Sequence, residues 1–423
     1  MRTVHWFKTR FIYGLVALLF GLLVSCGTAD DNPDDPNLPA PSDLTEHTRS
    51  YFDYFGTHIV VRIWGDDALD HTKIFTEIDA LLRHVHTHAT RYDPFPDTVN
   101  VHTINAQPDT WHTVDPMLID MVELGQNYYN HPLGNQVFNI TLGKVLDVWA
   151  DYRDRCLATR LDPVPDCEVP SLETLQDAAG DMTELNPSAI ELDRENNRLR
   201  IPEGLGLDLG GIAKGYGARE VGRYLRTTDV SHFMVNAGAS NIEFYGAHPS
   251  GTRDYWTVGT RDPFNPLSTY AQLKLYSGQN SVTSGDYERF FTVDGVNYHH
   301  IIDPATLYPS MHIRATTIVG PDPLLADIYS TLVFVLPIEE GIAFIDALDD
   351  YEAIWMLADR TVRFSENFEA QHLNELRIEN TRDDAAPLLM SLLGFAVFVG
   401  LSFLVVTLKN RAQKTTKENP AHP

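Results

Sequence analysis

Asp208, Gly210, Gly211 and Lys214 lie within residues 207–225, where a short apolar run ends in a glycine turn and a helical pattern begins. Adjacent glycines leave the backbone open to a ligand, because no Cβ blocks its approach. The helix N-terminus would offer unpaired N–H groups and partial positive charge to that turn. Lys214 would add a full charge. The pattern indicates a phosphate-binding turn, although its spacing matches neither a P-loop nor a dinucleotide fingerprint, and an ordinary strand–helix turn is the alternative.

A carboxylate and a hydroxyl four residues apart suggest a metal site. Asp327 and Thr331 fall on a predicted helix, so both oxygens project from one face. With a backbone carbonyl from the glycine turn they would form an all-oxygen ligand set, which suits Mg²⁺. An ion held beside a helix N-terminus would neutralise a diphosphate. Helix capping or surface polarity is the alternative interpretation of these two residues.

Histidines supply the other candidate chemistry. His300 could act as a general base or hydrogen-bond donor near the diphosphate, or it could be a structural histidine with satisfied hydrogen bonds. Asp286 is the next candidate base. His84 and His88, four residues apart on a predicted helix, could hold a metal ion, whereas a solvated helix face is the favoured interpretation. Asp303, which precedes a proline, is predicted to form a turn.

The elements that must position these residues alternate irregularly between strand and helix. Strands are predicted at residues 57–64, 189–192, 198–201, 233–235, 256–259 and 272–276, and helices at 74–85, 116–129, 326–334 and 338–348. Residues 91–105 are predicted to be a loop. Several hairpins are expected, so the order favours an α+β sandwich with mixed and antiparallel strands over a doubly wound sheet.

Segments that carry these residues resemble one family when they are taken together. DLGGIAKGYG at 208–217, TSGDYER at 283–289, YHHIIDP at 298–304 and ADIYST at 326–331 follow each other in an order and spacing similar to those of the ApbE-type flavin transferases. Members of that family are FAD:protein FMN transferases. The resemblance covers roughly residues 51–348, and it implies an ApbE-like α/β sandwich.

The resemblance also implies roles for individual residues. The implied Mg²⁺ ligands are the backbone oxygen of Gly211 and the side chains of Asp327 and Thr331. The implied FAD-binding positions are Phe55, Tyr92, Val137, Phe138, Asn139, Asp208, Lys214 and Ile301, with Tyr92 stacked on the flavin ring and His300 as the proton acceptor. The chain departs from the usual pattern at Phe55 (usually Met), Asn139 (usually Asp), Arg219 (usually Asp) and Leu307 (usually Gly).

The expected reaction is Mg²⁺-dependent transfer of FMN from FAD to a Thr or Ser of an acceptor protein through a phosphoester, with release of AMP. Flavin-bearing subunits of membrane electron-transport complexes are the acceptors that the resemblance suggests. The alternatives are an FAD-binding lipoprotein without transfer activity and a hydrolase that produces FMN and AMP. The net charge of −26 argues against a duplex nucleic-acid partner, because phosphate contacts need lysine and arginine.

Both ends of the 423-residue chain carry membrane signals. Residues 1–25 are predicted to be a secretory signal that ends in a lipobox, so that Cys26 would be lipidated, with an uncleaved membrane helix as the alternative. Residues 26–48 are predicted to be a flexible tether and 49–380 the transferase domain. Residues 385–408 are predicted to span the membrane, and the basic tail 409–423 to face the cytoplasm. The domain would then lie outside a bacterial inner membrane, in contact with lipid.

Two further cysteines lie in a polar insertion rich in Asp, Arg and Pro. Outside the cytoplasm Cys156 and Cys167 could close this small loop as a disulfide, and two free thiols are the alternative.

Overall fold

The computed structural model describes residues 44–158, 167–182 and 185–377. The predicted signal, lipidated Cys26, most of the tether, the membrane span 385–408 and the tail 409–423 lie outside these residues. The described helices are α1 (His71–Ala89), α2 (Val101–Ala106), α3 (Pro116–Tyr129), α4 (Gly143–Ala158), α5 (Leu172–Ala179), α6 (Gly210–Leu225), α7 (Pro323–Val335), α8 (Ile338–Asp346) and α9 (Phe368–His372). Within the described ranges, no helix combines the length and apolarity needed to cross a bilayer.

Sixteen strands lie in the same ranges. They are β1 (Thr45–Tyr51), β2 (Ile59–Gly65), β3 (His112–Thr113), β4 (Glu191–Asp193), β5 (Arg198–Arg200), β6 (His232–Ala237), β7 (Asn241–Tyr245), β8 (Tyr255–Asp262), β9 (Asn265–Tyr276), β10 (Asn280–Gly285), β11 (Phe290–Val293), β12 (Val296–His299), β13 (Ile313–Gly320), β14 (Glu352–Leu357), β15 (Val362–Phe364) and β16 (Leu373–Leu376). The main sheet has eight of them in the order β1-β2-β6-β7-β10-β13-β14-β15. The predicted α+β class is confirmed.

The direction of the strands differs from the prediction. Neighbouring strands of the main sheet pair antiparallel throughout, as do the strands of the smaller sheets in the described residues. A parallel arrangement occurs in an isolated bridge between Leu142 and Gly206. The predicted mixed strands were wrong because periodicity identifies a strand but not the direction of its neighbour, which depends on the connections between strands.

The main sheet lies between two layers. On one face α1 and α6 cover β1, β2 and β6, where Ile59, Val61 and Ile63 alternate inward and are fully buried. Helix α7 lies beside α6 and covers β10 and β13. On the other face the small sheet β16-β9-β8 buries Trp256 and Leu273 against the main sheet. The helical layer therefore contains both the start of α6 and the face of α7 on which Asp327 was predicted to lie.

Two element boundaries need correction. Strand β1 begins at Thr45, inside the predicted tether 26–48 and before the predicted domain start at 49, because residues 45–48 pair with β2. Helix α2 lies in the predicted loop 91–105, where Asn100 caps it by accepting a hydrogen bond from the Thr103 N–H at 3.0 Å. A helix this short shows no reliable periodicity.

At the end of α4, Cys156 and Cys167 form a disulfide rather than two free thiols, which were the two alternatives considered for these cysteines.

Candidate active site

The turn that precedes α6 is held by hydrogen bonds between its backbone and distant parts of the chain. Asn105 makes two hydrogen bonds to the backbone of Leu207, one to its carbonyl at 2.9 Å and one from its N–H at 2.8 Å. The Asp208 N–H donates to the carbonyl of Ile140 at 2.8 Å. The Asp208 carboxylate in turn accepts from the Gly210 N–H at 2.8 Å and so shapes the first turn of the helix. Asp208 therefore positions the glycine turn rather than facing a ligand alone.

Arg91 is a site residue to which the sequence analysis gave no role. Its side chain is 5% exposed and forms ion pairs with Asp208 and Asp147, so it connects the glycine turn to α4. The next residue, Tyr92, is 62% exposed, and its ring lies 4.5 Å from the Arg91 guanidinium. An exposed aromatic ring on a buried arginine base is a suitable platform for a planar ligand.

Lys214 and Asp327 meet where α6 packs against α7. The Lys214 ammonium contacts both oxygens of the Asp327 carboxylate, at 2.7 and 2.9 Å. The Gly215 N–H donates to the same carboxylate at 2.8 Å. Burial raises the pKa of Asp327 above its ordinary value, against the opposing effects of the Lys214 charge and the Gly215 N–H. Lys214 is thus paired with the predicted metal ligand, although the two were predicted to have separate partners.

Close packing between α6 and α7 leaves oxygen atoms available to bind a metal ion. In a regular helix the Gly215 N–H donates to the carbonyl of Gly211, but here it reaches across to Asp327, so the Gly211 oxygen at best shares this donor. A Cβ placed on Gly211 would lie 3.9 Å from the hydroxyl oxygen of Thr331. That hydroxyl donates its proton to the Asp327 carbonyl at 3.2 Å and keeps its lone pairs. Carbonyl, carboxylate and hydroxyl oxygens thus lie on neighbouring turns of α6 and α7, and an all-oxygen set of this kind fits Mg²⁺.

The predicted FAD-binding residues at 137–139 surround the start of α6 in different ways. Phe138 is buried, and a Cβ placed on Gly211 would approach its ring to 3.3 Å. Val137 is half-buried against the same core. The Asn139 side chain donates to the Leu185 carbonyl at 2.7 Å and accepts from both the N–H and the hydroxyl of Thr141. Its amide is therefore committed to local structure, and a flavin contact would have to come from its backbone.

Phe55 approaches α6 from the loop before β2. Its backbone adopts a φ of +53°, which is unusual for a residue other than glycine, and its carbonyl accepts from Arg289 at 3.1 Å. The Phe55 ring packs on Gly217, where an added Cβ would lie 3.0 Å away. A larger residue at this position would therefore displace the Phe55 ring.

The adjacent histidines His299 and His300 have opposite surroundings. His299 is buried and its Nε2 lies 2.8 Å from the carbonyl of Ser310, while its Nδ1 accepts from the Ile301 N–H at 3.2 Å. The Nδ1 of His300 is buried and has no hydrogen-bond partner among the described residues. Burial lowers the pKa of His300 well below its usual value, and the charges of Arg289, His299, Arg153 and Lys214 lower it further. His300 is thus a neutral imidazole with a free nitrogen near Lys214.

Ile301, which follows His300, has few backbone groups left to bind a ligand. Its side chain is buried, its N–H donates to His299, and its carbonyl accepts from the Ser310 N–H at 3.1 Å. The predicted turn at Asp303 is confirmed, because its carboxylate accepts from the Ala305 N–H at 2.9 Å. Asp286, the alternative base, is paired with Arg314, and burial raises its pKa to about 6.

The other two departures from the family pattern lie away from this cluster. Arg219 faces Asp322 at 3.6 Å and packs over the ring of Tyr216. Leu307 has a φ of +63°, which explains why glycine is usual at this position, and its carbonyl accepts from the Trp149 indole N–H at 2.9 Å. Neither residue touches Lys214 or Asp327 in the contacts that the described residues make.

Comparison with known proteins supports the resemblance. A family model described as the ApbE family matches residues 55–355. The chain is 31% identical over 233 residues to an FAD:protein FMN transferase of Klebsiella pneumoniae (strain 342), with 55% of this chain and 66% of the relative covered. It is 36% identical over 168 residues to one of Treponema pallidum (strain Nichols), with 38% and 46% covered. The match thus spans less than two thirds of either relative.

A solved structure shows a similar fold. The crystal structure of the ApbE protein from Thermotoga maritima superposes with a TM-score of 0.65 at 25% identity, and the match covers 77% of this chain and 99% of that one.

Proposed function

The chain belongs to the ApbE family, and on that premise we propose that it is an FAD:protein FMN transferase. The hydroxyl oxygen of an acceptor Thr or Ser forms a bond to the FMN-side phosphorus of FAD. The bond from that phosphorus to the bridging oxygen breaks, and AMP leaves with that oxygen. FMN remains attached to the acceptor through a phosphoester. The observation that carries this proposal is the meeting of Lys214, Asp327 and Gly215 at the first turns of α6.

The residues at the start of α6 bind and orient the diphosphate. We assign the Mg²⁺ ligands to the Gly211 carbonyl, the Asp327 carboxylate and the Thr331 hydroxyl. When bound, the ion would neutralise negative charge on the diphosphate and on the departing AMP. Lys214 binds a phosphate oxygen directly, and the N-terminus of α6 adds the partial positive charge of the helix dipole. To do so, the Lys214 ammonium moves from the Asp327 carboxylate, which it contacts at 2.7 Å.

His300 removes the proton from the acceptor hydroxyl. Its low pKa keeps the imidazole neutral near pH 7, so one ring nitrogen holds a lone pair that can take that proton. The positive charges of Arg289, Arg153 and Lys214 that hold this pKa down also favour the negative charge that develops on the phosphoryl oxygens. The same residues therefore keep the base neutral and stabilise the transition state.

The flavin end of FAD occupies the surface around Tyr92. Its exposed ring stacks on the flavin, with the buried guanidinium of Arg91 on one side of the ring. Phe55, Val137, Phe138, Ile301 and the backbone of Asn139 make the remaining contacts with FAD, and Asp208 holds the glycine turn in place. FAD is a substrate in this scheme.

We also propose a location, which rests on the sequence and on the Cys156–Cys167 disulfide. Cys26 carries lipid, residues 385–408 cross a bacterial inner membrane, and the catalytic domain lies on its outer face. The Cys156–Cys167 disulfide is typical of proteins in such oxidising compartments. An acceptor on that face, such as a flavin-bearing subunit of a membrane electron-transport complex, would be within reach.

Incubation with FAD and Mg²⁺, with and without an acceptor domain, tests the activity. We expect AMP only when the acceptor is present, together with an FMN mass increment on the acceptor in mass spectrometry. AMP released without acceptor would instead indicate a hydrolase. FAD binding without AMP under either condition would leave a binding protein and overturn the transferase assignment.

A further inference from the structure

A second cluster of ligand-type side chains lies where the end of α1 meets the start of α3, away from the residues of the proposed reaction. His84 and His88 occupy one face of α1, with ring centroids 4.4 Å apart. Asp115, the N-cap residue of α3, faces both of them. Its Oδ2 lies 3.1 Å from Nε2 of His84 and 4.0 Å from Nε2 of His88. One atom from each residue therefore meets within 4.8 Å.

Hydrogen bonds to backbone groups orient two of these three side chains. The Met117 N–H donates to Oδ1 of Asp115 at 2.9 Å, so the helix cap holds one carboxylate oxygen and leaves Oδ2 directed at the histidines. Nδ1 of His88 lies 2.7 Å from the carbonyl of His84. A carbonyl only accepts, so this nitrogen carries the proton and Nε2 holds the lone pair in the neutral ring. A histidine–carbonyl bond of this kind is how proteins orient an imidazole toward a metal.

A bound cation would stabilise this arrangement. The lone pair of His88 Nε2 and the negative Oδ2 of Asp115 lie 4.0 Å apart, and repulsion between two acceptors is relieved by a metal ion or a proton between them. In a tetrahedral zinc site, ligand bonds of about 2.0–2.2 Å place ligand atoms roughly 3.3–3.5 Å apart. The observed separations of 3.1 and 4.0 Å bracket that spacing, so small side-chain rotations suffice.

We propose that His84, His88 and Asp115 bind Zn²⁺. Two imidazole nitrogens and one carboxylate oxygen form a borderline ligand set that suits Zn²⁺ and its transition-metal neighbours, and it discriminates against Mg²⁺ and Ca²⁺, which require oxygen. The His84 side chain is 48% exposed, so water completes the coordination. No step of the proposed reaction uses this ion.

The position of the cluster gives the ion a structural consequence. Helix α1 ends at Ala89, one residue after His88, and its C-cap residue Thr90 is followed directly by Arg91 and Tyr92. An ion bound by both α1 and α3 would hold the last turn of α1 against α3. It would thereby restrain the backbone that leads to the exposed Tyr92. This consequence depends on the proposed function, whereas zinc binding does not.

Calorimetric titration of the full-length protein tests the site. The protein is stripped with EDTA, dialysed, and titrated with ZnCl₂ in excess Mg²⁺, so that the oxygen site at Asp327 does not contribute. We expect one zinc equivalent to bind. His84→Ala and Asp115→Asn should each weaken binding about tenfold or more, because even indirect partners of a metal ligand are worth that much. Asn still caps a helix, so Asp115→Asn changes the ligand and spares the fold.

His102→Ala serves as the matched control, since it removes a half-exposed histidine of α2 outside the cluster and should leave zinc affinity unchanged. Co²⁺ gives an independent readout, because its visible absorption should report tetrahedral coordination in the parent protein and lose intensity in His84→Ala. Equal zinc affinity in the parent and both cluster variants would overturn the proposal. So would the absence of zinc binding, which would leave a histidine–carboxylate ion pair as the explanation of the contact.

Discussion

The α6–α7 seam and the α1–α3 junction both present a carboxylate to a cation, but they do so in different surroundings. At the seam Asp327 is 5% exposed, and an ammonium and a backbone N–H already contact it. At the junction the Asp115 side chain is 23% exposed and faces two imidazoles. The first region offers only oxygen to a metal, and the second offers mostly nitrogen. If both proposals hold, the two regions would select different ions by ligand type, a hard ion at the seam and a borderline ion at the junction.

The difference teaches what burial contributes to each site. A buried carboxylate is costly unless it is paired, so Asp327 requires a cation at all times and the seam must be built around one. Asp115 can rely on water and on the helix cap, so the junction is stable with or without an ion. We therefore expect substitutions at the seam to affect both activity and folding, and substitutions at the junction to affect ion binding alone.

The largest expected effect comes from Asp327→Asn. The amide keeps the shape of the carboxylate but removes the charge that holds Mg²⁺, and charge stabilisation by a metal is worth several kcal/mol. Transfer of FMN should fall by about 10³–10⁴-fold at saturating FAD. Acceptor flavinylation followed by mass spectrometry measures it. Unchanged transfer would show that the seam holds no catalytic metal, and the contrast between the two regions would collapse.

His300→Asn should have the next largest effect. Asn retains polarity but lacks the basic nitrogen, so transfer should fall at least about 10²-fold while FAD affinity stays nearly constant. The pKa of His300 lies well below 6.5, so the parent enzyme should show no loss of rate from His300 protonation between pH 8 and pH 6.5. A rate that halves near pH 6.5 in the parent and not in the variant would contradict this.

His299→Asn is the contrasting variant. His299 is buried with both ring nitrogens bonded, and burial lowers its pKa to about 4. Its loss leaves the Ser310 carbonyl without a donor, so the melting temperature should fall while transfer per folded molecule persists. Equal loss of transfer in the two variants would remove His300 from its role as base.

More of the α6–α7 seam than of the α1–α3 junction could be predicted from the sequence. Asp327 and Thr331 could be paired from the sequence because helical periodicity alone places them on one face. Helix α3 was predicted with its observed limits from its helical pattern, but its N-cap residue Asp115 had no predicted role. A contact between the cap of one helix and the side of another depends on tertiary packing.

Tertiary contacts also explain the other omissions. Arg91 had no predicted role, because its pairing with Asp208 and Asp147 requires three chain segments to meet. The antiparallel order of the main sheet required knowledge of which strands are neighbours. Lys214 was predicted for phosphate, but sequence patterns could not show that it lies on Asp327, because the two residues come together only when α6 packs on α7.

The smallest expected effect, Gly215→Ala, tests whether the seam depends on close packing. A Cβ at this position would meet the Pro323 carbonyl at 2.7 Å, Asp327 Cβ at 2.8 Å and Leu324 Cα at 2.9 Å, and none of these atoms can rotate away. The two helices must separate, so we expect unfolding free energy to fall by about 1–3 kcal/mol in urea denaturation. Gly341→Ala in α8 is the matched control, because its added Cβ would lie 3.5 Å or more from its nearest neighbours, Val333 and Trp355. There the higher helix propensity of alanine should stabilise by about 0.5–1 kcal/mol. If both substitutions stabilise the protein, α6 and α7 are not held together as closely as the Lys214–Asp327 contact requires, and the seam would resemble the looser junction.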